Sequence, residues 1–349
     1  MAYAATLLAP IEQDIPSVFS APFLIPANQN TVSLKQSPYI DMHCHTTRSD
    51  GVQTPKELIA EAKSRGLELL CITDHDRSSA EIVPQIRDAG IATVPSIEIS
   101  TQNSFEDTRS LHMTYYAESI SQEIEDIIAN TRNKKEEMIL AQLQHLEEKW
   151  FFVDIEEFYR ELESQGRLKS GYSKYDIARY IAAKPENREK LLALGCEDRG
   201  KLHMDFYTRC LKRAGDLYSE YAIEVEEYEP EVGDISQIAR DRWAILSIAH
   251  PNFSFTRDGA SGFAELYKTV YRPLWVNAIE INSKATKRWV EVILGLKEKY
   301  GNDLQLTFGS DCHRIGKPDD KHGDLWFENR FVSDDLLERE VWDFREKLL

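Results

Sequence analysis

Sulfur is scarce in this chain: five cysteines in 349 residues, an odd number with no paired metal-type or disulfide-type spacing. That excludes a disulfide-stapled secreted scaffold, argues against a structural zinc site, and leads us to expect a reducing, cytoplasmic setting. Long apolar runs are missing too, so no membrane span is predicted. Basic charge is the third shortage, with 42 Lys and Arg against 59 Asp and Glu and a formal net charge of −17. Such a surface is not expected to hold duplex nucleic acid or an anionic membrane. A small anionic substrate stays open, because bound metal ions reverse the local sign of charge. The first basic residue is Lys35, so residues 1–38 lack the early positive region of a secretory signal and are expected to form an arm lying on the domain.

What is present reads as a globular α/β protein. Hydrophobic residues make up 42% and charged residues 29%, and the length suits one large domain or a domain with an insertion. Residues 39–45 read as a strand. Thr54-Pro55-Lys56-Glu57 opens a helix with Thr as cap, Pro in the first turn and Glu three residues on, and Gly66 stops it. Further strands are expected at 69–73, 91–99 and 111–116, with a helix over 79–89 between the first two of these. This alternation predicts parallel βα units. From 119 to 233 the pattern turns helical, with Ile139, Leu143, Leu146 and Trp150 on one predicted face and Tyr207, Cys210, Leu211 and Ala214 on another. The end of that stretch, 216–234, carries eight acidic residues and no Lys or Arg and reads as a solvated rim. Strands return at 243–249, 277–282 and 304–308, with helices over 285–300 and after Ser333. Seven strands with crossover-length connections predict a closed or nearly closed βα barrel, with an open doubly wound sheet as the alternative. The expected organisation is an arm (1–38), a barrel (39–118 and 234–349) and a helical insertion (119–233).

The chemistry gathers at the strand ends. His43 and His45 are i and i+2 on a strand and share a face, and Asp50 follows in a Ser-Asp-Gly turn. His75, Glu98, His112, His250, Asp311 and His313 stand at or just past later strand ends. Six of the nine histidines are in this set, together with three carboxylates. One such histidine is ordinarily a packing residue; nine residues of these types in one class of position suit two or three divalent ions such as Mn, Fe or Zn. Cys44 and Cys312 alternate away from the ligand face and read as buried small hydrophobes. His145 and His203 fall in the helical stretch and read as surface or packing residues.

In order along the chain, His43-Cys44-His45 with Ser49-Asp50-Gly51, Thr73-Asp74-His75, Ile97-Glu98-Ile99-Ser100, Leu111-His112, Ala249-His250-Pro251 and Ser310-Asp311-Cys312-His313 resemble the motifs of the PHP (polymerase and histidinol phosphatase) superfamily. The resemblance covers about 39–117 and 243–325. It implies a distorted (β/α)7 TIM-like barrel with a multinuclear metal site. One ion would be held by His43, His45, Glu98 and Asp311, a second by Glu98, His112 and His250, and a third by Asp50, His75 and His313. The insertion is similar to that of the nucleoside 3',5'-bisphosphate phosphatase and ribonuclease AM branch, where a Ser-Arg-x-His-x-Ala-Arg-like stretch occurs. Here Ser173-Lys174-Tyr175-Asp176-Ile177-Ala178-Arg179 corresponds, with Lys174 for an arginine and Asp176 for a histidine.

The function this implies is hydrolysis of a small phosphate monoester, with a nucleotide as one candidate substrate: the 3'-phosphate of a nucleoside bisphosphate or a short oligonucleotide 5' end. A water held between ions by Glu98 and its neighbours would be the nucleophile. Arg48, Lys174, Arg179 and Arg314 are the expected substrate contacts, and His322 is a candidate to protonate the leaving oxygen. Asp41 and Asp74 are expected to orient ligand imidazoles. The alternatives are a metal-dependent C–N (amide) hydrolase and a non-catalytic module of the same fold.

Overall fold

The computed structural model describes residues 39–102, 110–168, 171–197, 201–213, 215–223, 229–255 and 259–349. The expected arm, 1–38, lies outside them. Among the described residues there are seven strands: β1 (Ile40–Cys44), β2 (Leu69–Ile72), β3 (Ser96–Gln102), β4 (Ser110–Tyr116), β5 (Ile245–Ile248), β6 (Ala278–Asn282) and β7 (Gln305–Gly309). β1 and β2 pair in parallel, and the other five form a sheet in the order β3-β4-β5-β6-β7. The strand number matches the expectation. Closure does not appear as a continuous ladder: among the described residues, β2 meets β3 through the isolated bridges Leu69–Ala92 and His75–Glu98, and β1 meets the end of β7 through Cys44–Cys312.

One orientation departs from the parallel pattern. β4 runs antiparallel to both β3 and β5. Only 103–109 separate β3 from β4, and a parallel return needs a crossover of roughly a dozen residues or more. The reversal has a consequence for the site. It brings the beginning of β4, with His112 opposite Ser100, to the rim where the other strands end.

Local rules account for most helices. Thr54 and Glu57 form the expected reciprocal cap of the helix Pro55–Ser64, whose Leu58, Ile59 and Ala62 are buried. Ser333 caps the last helix, Asp334–Leu348. The long helix Gln122–Glu148 begins in one apolar core and ends in another. Its Ile124 and Ile128 pack in the sheet core with Ile40, Met113, Ile279 and Phe308. Its Ile139, Leu143 and Leu146 pack with Phe158, Ile177 and Phe206 in a separate helical core. Each such side chain contributes roughly 1.5–3 kcal/mol on full burial. Trp150 does not continue that face: it is 88% exposed, because the helix has ended and Trp150 sits past its cap at φ 65°. Ala214, from the second predicted face, lies outside the described residues.

The helical region touches the sheet region at a defined place. Leu168 N–H donates to the Thr47 carbonyl at 3.3 Å, and Gly171 packs so closely on Ser49 that a Cβ there would stand 2.0 Å from the Ser49 carbonyl oxygen. The chain leaves the helical region along the end of β3, where Gln102 N–H donates to Pro230 O at 2.9 Å.

Candidate metal centre

β1 carries His43 between Met42 and Cys44, whose side chains join apolar clusters. Glycine at the end of β7 admits the imidazole-bearing residue: a Cβ on Gly309 would lie 2.2 Å from His43 Cβ. His45 follows β1, and its backbone N–H is held by the Cys312 carbonyl at 2.9 Å. These main-chain bonds fix the two rings with their Nε2 atoms 3.1 Å apart.

Glu98, mid-strand on β3 and fully buried, stands between five imidazoles. Its Oε2 is 3.1 Å from His43 Nε2, His45 Nε2 and His75 Nδ1. Its Oε1 is 3.0 Å from His112 Nδ1 and His250 Nε2. Asp311, at φ 57°, turns its Oδ1 to 3.2 Å from His45 Nε2 and 3.6 Å from His43 Nε2. Asp50 folds back as its turn predicts, 3.2 Å from His313 Nε2 and 3.6 Å from His75 Nε2. All nine rim residues named from the sequence are therefore neighbours. Their donor atoms fall into groups that fit within 4.8 Å: His43, Glu98 and His250; His75, Glu98 and His112; His43, His45 and Asp311; His45, Asp50, His75 and His313.

The donor set fits divalent cations on a physical test. Glu98 Oε2 and Asp311 Oδ1 are buried and have no hydrogen-bond donor, and His75 Nδ1 and His112 Nδ1 find no hydrogen-bond partner either. A neutral buried polar group left so costs roughly 1–3 kcal/mol, and a charged one more. Cations shared among these groups would satisfy all four. Electrostatics point the same way. Burial opposes charge on His45, yet the adjacent Asp311 and Glu98 carboxylates outweigh it and push the ring up to about 10. His43 is likewise raised, burial being outweighed by Glu280, Glu98 and Asp311. Burial disfavours the Glu98 carboxylate as well, but the surrounding imidazoles hold it well below its ordinary range. The carboxylates are thus charged and paired with acidic protons that a metal can replace.

Residues 41–182 match the family model described as the PHP domain. The matched stretch, 41–182, is similar to the PHP domain. Two curated relatives match the chain over short stretches. A 5'-3' exoribonuclease of Haemophilus influenzae is 42% identical over 65 residues, 18% of this chain and 23% of the relative. A 3',5'-nucleoside bisphosphate phosphatase of Chromobacterium violaceum is 40% identical over 63 residues, 18% of this chain and 22% of the relative. The chain thus spans under a quarter of the length of either. A solved structure from Bifidobacterium adolescentis, named as a proposed metal-dependent phosphoesterase, matches with TM-score 0.60 at 19% identity, covering 87% of this chain and 96% of that one. At that identity the likeness is one of fold.

Around the centre, other expected residues have different surroundings. Asp41 does not reach an imidazole: it accepts from the backbone N–H groups of His43, Ser310 and Trp326 and from the Ser310 hydroxyl. It ties β1 to the end of β7. Asp74 accepts from Thr46 and Ser49, and only the Ser49 hydroxyl, 3.4 Å from His45 Nδ1, links it to a ligand ring. Arg48 is engaged by Ser78 O at 3.0 Å and Glu81 at 2.6 Å. Arg314 is exposed beside His313. The described contacts of Lys174 and Arg179 lie in the helical region, not at the centre. Lys174 Nζ is 3.5 Å from the Ile223 carbonyl and 5.4 Å from the Tyr218 ring centroid. Arg179 lines a cavity of about 310 Å³ with Phe158, Tyr180 and His203. Asp176 caps its own helix and pairs with Arg167 at 2.5 Å. His322 lies closer than its loop position suggests, its ring 4.2 Å from that of His313 and its Nδ1 2.9 Å from Asp319. Cys44 and Cys312 are buried in an apolar cluster. His145 and His203 contact Glu220 O and the Tyr175 hydroxyl.

Sequence reasoning missed Glu280. It is buried in β6 and lies 2.6 Å from His43 Nδ1. The available signal was a lone carboxylate flanked by Ile279 and Ile281 in an otherwise apolar strand.

Proposed function

We propose that this chain is a metal-dependent phosphoesterase that hydrolyses a small phosphate monoester. The observation that carries the reading is Glu98, with both oxygens set between five imidazole nitrogens at 3.0–3.1 Å. His43, His45, Glu98 and Asp311 would hold one ion, Glu98, His112 and His250 a second, and Asp50, His75 and His313 a third. Divalent ions held there supply Lewis acidity toward phosphoryl oxygens and lower the pKa of water.

The chain's own residues supply the rest. Asp50 is 38% and His112 30% exposed while Glu98 is fully buried, which leaves one side of the centre open to a substrate. His322, its Nδ1 held by Asp319, turns its Nε2 toward that side, 3.9 Å from Asp311 Oδ2. There it can hold the proton a leaving alkoxide needs. Arg48 and Arg314 flank the rim as phosphate contacts. The names of the partial relatives support a nucleotide: the 3'-phosphate of a nucleoside bisphosphate or an oligonucleotide 5' end. The helical stretch 119–233 would act as a cap on a distorted barrel. Five buried free thiols support a reducing, cytoplasmic location. The metal-loaded protein is expected to release inorganic phosphate from nucleoside bisphosphates. Chelation and His45→Ala should each remove at least 99% of that activity. Inactivity of the fully loaded protein across a broad phosphoester panel would end the proposal.

A further inference from the structure

Beyond the nine rim residues, Glu280 is a fully buried carboxylate in contact with the centre. Glu280 projects from β6 on the far side of His43 from the donor cluster. Its Oε2 lies 2.6 Å from His43 Nδ1, while the other ring nitrogen, Nε2, faces Glu98 at 3.1 Å. Its Oε1 accepts from Asn282 Nδ2 at 3.1 Å and from the backbone N–H of His250 at 3.3 Å. His250 stands in the left-handed region at φ 30°, ψ 58°, a conformation that residues with a Cβ adopt only when something holds it. From there its Nε2 reaches Glu98 Oε1 at 3.0 Å.

We propose that Glu280 is a positioning residue: one carboxylate that sets the ring of His43 and the backbone of His250 so that both present a nitrogen to Glu98. The chemistry follows from the two oxygens. A ring that donates its Nδ1–H to Glu280 carries its lone pair on Nε2, the atom aimed at the cluster. The bond to His250 N–H fixes the second ring at the other oxygen of Glu98, and the two rings stack with centroids 5.6 Å apart. Asn282 completes the arrangement by holding Oε1. A carboxylate kept only for folding would show no preference for one donor group. Here both oxygens serve the His43–Glu98–His250 set and leave Asp50, His75 and His313 untouched.

The proposal rests on the metal-centre reading, so the experiment separates the two. Full-length protein, Glu280→Gln and Glu280→Asp are titrated with Mn²⁺ and with Co²⁺, and bound metal is counted by elemental analysis. Glu280→Gln is expected to weaken the ions held through His43 and through His250 about 10–100-fold, with the ion held through Asp50, His75 and His313 unchanged, and Glu280→Asp should recover part of the loss. The visible spectrum of the cobalt form should change for those ions alone. Wild-type stoichiometry, affinity and cobalt spectrum in Glu280→Gln would overturn the proposal, as would equal weakening of every ion. Wild-type protein that binds no divalent ion would sink the metal centre itself. A measurement on the wild type guards against a variant that does not fold. Nitrogen-15 NMR of the Zn²⁺ form, with His43 assigned by its loss in His43→Asn, should show a strongly hydrogen-bonded Nδ1–H; a ring protonated only on Nε2 overturns the assignment.

Discussion

Glu98 is the residue whose removal should say most about the site. Five rings approach its two oxygens, and it is a principal cause holding His43 and His112 above the ordinary histidine range, against the opposing effect of burial. Glu98→Gln keeps the volume and removes the charge, which takes from His112 its close carboxylate and leaves His43 and His45 only Glu280 and Asp311 as counter-ions. Deleting one partner of a buried charge pair costs about 3–5 kcal/mol. The metal-free variant should therefore unfold at lower urea than the metal-free wild type by about that amount, and bind fewer ions. Equal urea midpoints would show that the five contacts contribute nothing to the metal-free fold. Glu98 was legible in the sequence because it stands among other histidine motifs at a strand. Glu280 was not, because its role depends on β6 reaching His43 of β1 past β7, with the two residues 237 positions apart in sequence, a neighbour relation that no local pattern encodes. Asp41 was misassigned for the same reason: proximity to His43 in sequence did not reveal that its oxygens would be taken by Ser310 and Trp326.

At the scale of elements, helices were more legible than strand directions. Caps such as Thr54 with Glu57 act within four residues and can be read directly, whereas the reversal of β4 follows from the length of one connection. The join between the helical region and the rim had no sequence signal at all. It consists of Leu168 on Thr47 and Gly171 on Ser49. Ser49 in turn donates to Asp74 and lies beside His45 Nδ1, and the next residue is the expected ligand Asp50. A methyl group at Gly171 meets rigid backbone at 2.0 Å, so the loop 47–50 must move. Gly171→Ala is expected to cost about 1–3 kcal/mol, as overpacking does, and to weaken the ion held by Asp50, His75 and His313 at least tenfold in a calorimetric titration. Unchanged affinity for all ions would mean that the contact does not transmit to the rim.

The whole molecule combines a net charge of −17 with a buried centre that needs cations, and this sets how it should respond to metal removal. Without metal, His45 keeps its proton up to about 10, against about 6.5 in the unfolded chain. A folded value above the unfolded one means that the native state binds the extra proton. The resulting stability is complete below pH 6.5 and disappears as pH rises toward 10. His43 acts in the same direction. Glu98 and Asp311 are lowered, burial being outweighed by the histidines, so their contribution is complete above the carboxylate range and disappears in acid. Metal-free protein should therefore be most resistant to urea near neutrality and weaken toward both ends. Binding reverses the alkaline branch, because coordinating imidazoles must be neutral. Adding Mn²⁺ at pH 7.5 in weak buffer should release protons, readable with an indicator dye, and should flatten the loss of stability between pH 7 and 9. Each ion present at 100 times its Kd adds about 2.7 kcal/mol, so chelation should lower the melting temperature clearly. Proton uptake on metal addition, or a metal-free protein indifferent to pH from 7 to 10, would show that these imidazoles are not charged in the empty centre.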